Sequence, residues 1–147
     1  MGVESVIARL EHLLATIPAL VRLIDDVQFG TPREAGKWSP QQILGHLVDS
    51  AANNHQRLIR ARYMDKPVVS YDQVQWNLLG HYADANREEL LQFWEAFNRH
   101  LLHIFRHMDP HDLSKKYRVH DAEYDLEHMA SDYMVHMEHH LHQFLSY

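Results

Sequence analysis

The sequence predicts an all-α, antiparallel four-helix bundle with a long crossover between its second and third helices. Three observations lead there. Apolar residues recur at helical spacing in four long segments, breaker clusters separate those segments, and no convincing alternating strand lies between them. The 147 residues read as one domain, 1–147, long enough to bury a real core.

The first helix is predicted from about Glu4 to Asp26, where Val6, Ile7, Leu10, Leu13, Leu14, Ile17, Leu20, Val21 and Ile24 repeat with helical period and Pro18 predicts a kink. It stops before the breaker Gly30-Thr31-Pro32. The second has a clear start: Ser39 as N-cap, Pro40 as first helical residue and Gln42 as capping-box partner, with Trp38 able to staple onto Ile43. It runs to about Tyr63, and Lys66-Pro67 ends it. A short helix over Tyr71 to Tyr82 is a weaker signal. The third long helix spans Arg87 to Met108 before Asp109-Pro110, and the fourth runs from about Glu123 to Leu145.

Composition narrows the function. Apolar residues make up 46% of the chain, as in folded proteins, and no run approaches the roughly 20 apolar residues of a membrane span. Met1 to Glu4 opens into the helical pattern without the marks of a signal peptide. The absence of cysteine excludes disulfides, thiolate ligands and a cysteine nucleophile, and fits a cytoplasmic location. A formal charge of −6 and the lack of a basic stripe argue against nucleic acid as a partner.

The chain carries 14 histidines, so abundance by itself is poor evidence, and position on the helices must decide which of them could hold a metal. Two pairs have the H-x-x-x-H spacing on a continuous helix, His103/His107 and His136/His140. His100, His103 and His107 lie beside the apolar face of their helix, the position of a solvated or interface-flanking stripe. His136 and His140 fall instead inside the core-facing stripe with Met129, Tyr133 and Phe144. Buried without partners, their ring nitrogens would be unsatisfied, so they bond within the structure or hold a metal. On the second helix His46 shares a stripe with Ser50, Asn53 and Arg57, flanked by Asp49 and Asn54, which either faces water or lines an internal polar site. Three histidines from two helices then form one cluster, and a metal becomes the leading reading. H-E-x-x-H and E-x-x-H spacings are absent, which argues against a zincin protease and a ferritin-like di-iron centre.

The run H-L-V-D-S-A-A-N-N-H-Q-R, His46 to Arg57, followed by H-M-E-H-H-L-H-Q downstream, resembles the DinB/YfiT-like superfamily. The YfiT-like pattern H-L-x-D-S-x-x-N-x-x-x-R is met by His46, Leu47, Asp49, Ser50, Asn53 and Arg57, and the W-S entry by Trp38 and Ser39. The resemblance implies a four-helix bundle, often a homodimer, with one divalent ion held by His46, His136 and His140. Members are described provisionally as metal-dependent hydrolases, and some relatives are transferases or isomerases using bacillithiol or mycothiol. One departure stands at Val119-His120-Asp121-Ala122-Glu123, where relatives often carry an H-P-x-x-G turn and this chain keeps only the histidine.

Such a centre, with zinc or nickel, leaves positions open for water or a thiol and makes either more acidic. Asp49 and Asp132 stand one turn from ligand histidines and can accept their free N–H groups; ordinary exposed carboxylates are the alternative. Asn53, Arg57 and Asp49 are the candidates for binding a low-molecular-weight thiol cofactor, Arg57 through its guanidinium fork unless that is paired within the bundle. His120 and Tyr133 are the candidate acid-base groups, Tyr133 being otherwise a core tyrosine. The expected function is therefore a metal-dependent thiol S-transferase or hydrolase acting on a small molecule. The alternative is a non-catalytic bundle with a structural metal or a small-ligand binding role.

Overall fold

The computed structural model describes residues 1–147. Helix α1 (Val3–Leu23) passes through Pro18 without a break and ends at Ile24, short of Asp26. The reason is local: Asp25 accepts from the Gln28 N–H at 2.8 Å and so caps a separate short helix, α2 (Asp26–Gly30). Helix α3 (Pro40–Arg60) opens on the expected capping box, with Gln42 N–H donating to Ser39 Oγ at 3.2 Å and Ser39 N–H to Gln42 Oε1 at 2.9 Å. Short α4 (Gln73–Leu79) is capped by Asp72, and α5 (Arg87–His107) by Asn86.

The last quarter of the chain corrects the expectation that no strand is present. Strands β1 (Lys116–Val119) and β2 (Ala122–Asp125) form an antiparallel hairpin with Tyr117 opposite Tyr124. Glu123 therefore lies in a strand, and the last helix, α6 (Leu126–Leu141), begins where Asp125 accepts from the His128 N–H. Two four-residue strands of mixed polarity carry too little alternation to be read. Their turn has a left-handed φ of 52° at His120, where the sequence offers no glycine as a signal. Residues 67–69 of the crossover join this hairpin: Arg118 N–H donates to the Pro67 carbonyl and Val69 N–H to the Arg118 carbonyl, both at 2.9 Å.

Helix α3 packs against α5 and α6, and α1 packs against the same two. The crossover of residues 61–86 returns the chain to the start of α3. There the Gln41 amide donates to the Tyr82 and Ala85 carbonyls just before α5. Further along, the His55 ring meets Phe97 and His100, so α3 and α5 run parallel. Helix α6 runs the other way, bringing its last turns beside the first turns of α3. Leu10, Ile17, Leu47, Leu91, Trp94 and Met134 are fully buried between the layers. Burial of such a Leu or Ile stabilises by about 1.5–3 kcal/mol, which fixes the helices that carry the site.

Candidate metal centre

The polar stripe of α3 faces inward: His46, Asp49, Ser50, Asn53 and Asn54 are all buried. His46 Nε2 lies 3.0 Å from His136 Nε2, and the His46 and His140 rings are 4.6 Å apart, as are those of His136 and His140. One nitrogen from each of the three falls within 4.8 Å of the others. Two nitrogens at about 2.0–2.1 Å from a tetrahedral ion stand about 3.3 Å apart, so the spacing suits a shared cation.

The donors suit it as well. Burial, followed by repulsion from His136 and His140, pushes the His46 imidazole down to about 3. Burial and then His140 push His136 down to about 4 against the pull of Asp132. His140 is lowered mainly by burial, although Gln143 acts the other way. All three are neutral near pH 7, the form that binds metal. His140 Nδ1 donates to Gln143 Oε1 at 2.9 Å, leaving Nε2 free to face the cluster. His46 Nδ1 and Asp49 Oδ2, one helical turn apart, are both buried without a partner. A cation on His46 Nε2 would fix the neutral ring in the tautomer with its proton on Nδ1. The residues present therefore fit a divalent ion.

The other sequence candidates take separate positions. Asp49 Oδ1 accepts from Tyr82 Oη at 2.5 Å; burial pushes the carboxyl up, and the Tyr82 bond acts against that. Tyr82 crosses α3 at Gly45, where a Cβ would lie 2.2 Å from its ring, so only glycine admits it. Asn53 Nδ2 donates to the Asp49 carbonyl. Arg57 donates to the Val69 carbonyl at 2.9 and 3.3 Å and to Asn54 Oδ1 at 3.1 Å, and stacks over Tyr117. Its fork clamps the crossover against the hairpin. Tyr133 is buried, donates to Asn98 Oδ1, and has its pKa raised mainly by burial. His120 sits exposed on the hairpin turn, its N–H donating to Ser70 Oγ, and does not join the cluster.

Two cavities flank the three histidines. One of about 110 Å³ reaches His136 and is lined by Ser50, Asn54, Arg57, Tyr71, Asp132 and Tyr133. Another of about 310 Å³ reaches His140 between Trp38, Ile43, Val74 and Gln143, with Arg33 and Lys37 also on its wall. A wider cleft of about 690 Å³ shares Arg33 and Gln143 with the second but contains none of the three histidines. Tyr82, Trp38 (its ring 4.9 Å from His46) and Gln143 are site neighbours that helical periodicity does not reveal. The readable hint is Gly45, which stands inside a helix at a cost of about 1 kcal/mol and so marks a close approach.

Fold and cluster define a helical bundle built around a candidate metal-binding site. The chain belongs to the DinB superfamily, whose profile matches residues 4–144. A protein of Halalkalibacterium halodurans, named provisionally as a metal-dependent hydrolase, is 24% identical over 141 residues, 95% of this chain and 82% of its own. YfiT of Bacillus subtilis, named likewise, is 24% identical over 135 residues, 90% of this chain and 76% of its own. The solved structure of YfiT, described as a four-helix bundle of unusual topology, superposes with a TM-score of 0.88 at 22% identity, over 97% of this chain and 83% of that one. A mycothiol-dependent maleylpyruvate isomerase superposes with a TM-score of 0.80 at 12% identity, over 98% of this chain and 61% of that one.

Proposed function

We propose that the protein is a divalent-metal-dependent enzyme that brings a thiol to a small electrophilic substrate, as a thiol S-transferase. The observation that carries this reading is the convergence of three neutral imidazoles, His46, His136 and His140, with cavities on two sides of them. His46, His136 and His140 would hold a divalent ion, zinc or nickel by its nitrogen donors, which would supply acidification of a bound thiol or water.

The chain's own residues supply the rest. Gln143 and the Asp49–Tyr82 pair hold the rings of His140 and the first turns of α3 in place. Asp132, the acidic side chain on the wall beside His136, takes the proton released by the thiol. The sulfur then forms a bond to the electrophilic carbon, and the leaving group departs with its electron pair. With water in place of the thiol the same arrangement performs hydrolysis. The names of the relatives favour that second reading. A purely structural metal fits less well, because such sites are closed and this one meets two cavities. By family resemblance the working form is a cytoplasmic homodimer.

The test is turnover by zinc- and nickel-loaded protein. Bacillithiol, mycothiol and simple thiols are offered with 1-chloro-2,4-dinitrobenzene, and activated esters and amides are offered without a thiol. Metal-dependent thioether formation supports the transferase. Ester or amide cleavage alone replaces it with the hydrolase, and neither activity removes both.

A further inference from the structure

We infer that the cleft beside His140 binds the anionic end of the co-substrate, a small molecule with one or two carboxylates whose reactive end lies at the histidine cluster. This rests on the metal-centre reading and names the class of molecule it serves. The geometry selects between two candidate anion sites. In the cavity beside His136, Arg57 already directs both sides of its fork to the Val69 carbonyl and Asn54 Oδ1. Asp132 shares that wall and would repel an anion, and about 110 Å³ is the share of only about four waters.

The cleft beside His140 differs in each respect. Its volume is about 310 Å³, and no carboxylate lines it. Arg33 and Lys37 are exposed on the loop between α2 and α3, and neither makes an ion pair or a side-chain hydrogen bond. Two free cations side by side stand out on a chain of net charge −6. Trp38, Ile43 and Val74 add apolar side chains to the same lining. Arg33 and Gln143 also border the wider cleft of about 690 Å³, which leaves room for a longer tail. Asp25 on that outer wall is committed to the cap of α2. A molecule lying in the cleft thus meets His140, apolar side chains and a pair of cations on the same walls.

The experiment uses cobalt-loaded protein and three thiols: mercaptosuccinate, neutral 2-mercaptoethanol and cationic cysteamine. Sulfur-to-cobalt charge-transfer absorbance gives each Kd. Mercaptosuccinate is expected to bind roughly 5- to 30-fold more tightly than 2-mercaptoethanol, the effect of two exposed ion pairs, and cysteamine no more tightly. The preference should shrink with added salt, vanish in Arg33→Ala/Lys37→Ala, and survive in Arg33→Lys/Lys37→Arg and in Arg57→Ala. Equal affinities in the wild type, a preference that persists in the double alanine variant, or one lost in Arg57→Ala overturns the subsite. If cobalt binds but no thiol gives the band, the thiol reading fails by itself. The same ratio is then read from succinic monohydroxamate against acetohydroxamate on the cobalt visible spectrum. Failure to bind cobalt overturns the metal reading and the subsite together.

Discussion

Gly45 and Tyr82 show how much of the site depends on single atoms. Alanine at a helix interior ordinarily stabilises by about 1 kcal/mol over glycine. At Gly45 the added Cβ would stand 2.2 Å from the Tyr82 ring, so Gly45→Ala is expected to destabilise by about 1–3 kcal/mol in urea unfolding. A gain in stability would show that Tyr82 does not pack there. The histidines predict a pH dependence. His46 and His136 have folded values of about 3 and about 4 against an ordinary 6.5. Between those limits the unfolded chain binds more protons, so the metal-free protein is most stable above pH 6.5 and loses stability as pH falls through the window. Asp49, raised by burial, acts with the opposite sign, one carboxyl against three imidazoles. Urea midpoints in chelator should be lower at pH 5 than at pH 7.5, and a flat profile contradicts the buried neutral cluster. At this scale His136 and His140 are legible in the sequence because helical period puts them on the core-facing stripe, whereas the stripe of His46 could as well have faced water. Tyr82 is not legible, because it arrives from a different part of the chain.

Among the elements, the crossover is where sequence and structure part. The four long helices are legible through period and caps, Ser39-Pro40-Gln41-Gln42 above all, with ends shifted by a few residues where Asp25 and Asp125 start new elements. The hairpin is not, since its strands are short and their partner segment, residues 67–69, lies some 50 residues earlier. Arg57 joins these pieces through the Val69 carbonyl and Tyr117. Arg57→Ala should therefore lower stability by about 1–3 kcal/mol and expose residues 61–72 to limited proteolysis, with metal content unchanged. Loss of metal without loss of stability would place Arg57 in the centre instead. Ser39→Ala removes one half of the capping box and should cost about 1 kcal/mol by the same unfolding assay.

The bundle as a whole brings the first turns of α3 against the last turns of α6, with Tyr82 of the crossover packed on α3 at the junction. No helix is long and apolar enough to cross a membrane. The same chain offers a built-in comparison. His103 and His107 have the same spacing as His136 and His140 and rings 4.3 Å apart, yet both are exposed and the His107 Nδ1 is turned to the His103 carbonyl. Burial and a third histidine whose nitrogen lies within 4.8 Å of both others, not spacing, separate the two pairs. The most direct measurement is the divalent-metal stoichiometry of purified protein after dialysis against a weak chelator, by elemental analysis. One ion per chain is expected in the wild type and in His103→Ala/His107→Ala, and none in His46→Ala, His136→Ala or His140→Ala, each with its helical circular dichroism retained. One ion retained by all three single variants, or lost only with His103 and His107, would contradict the account.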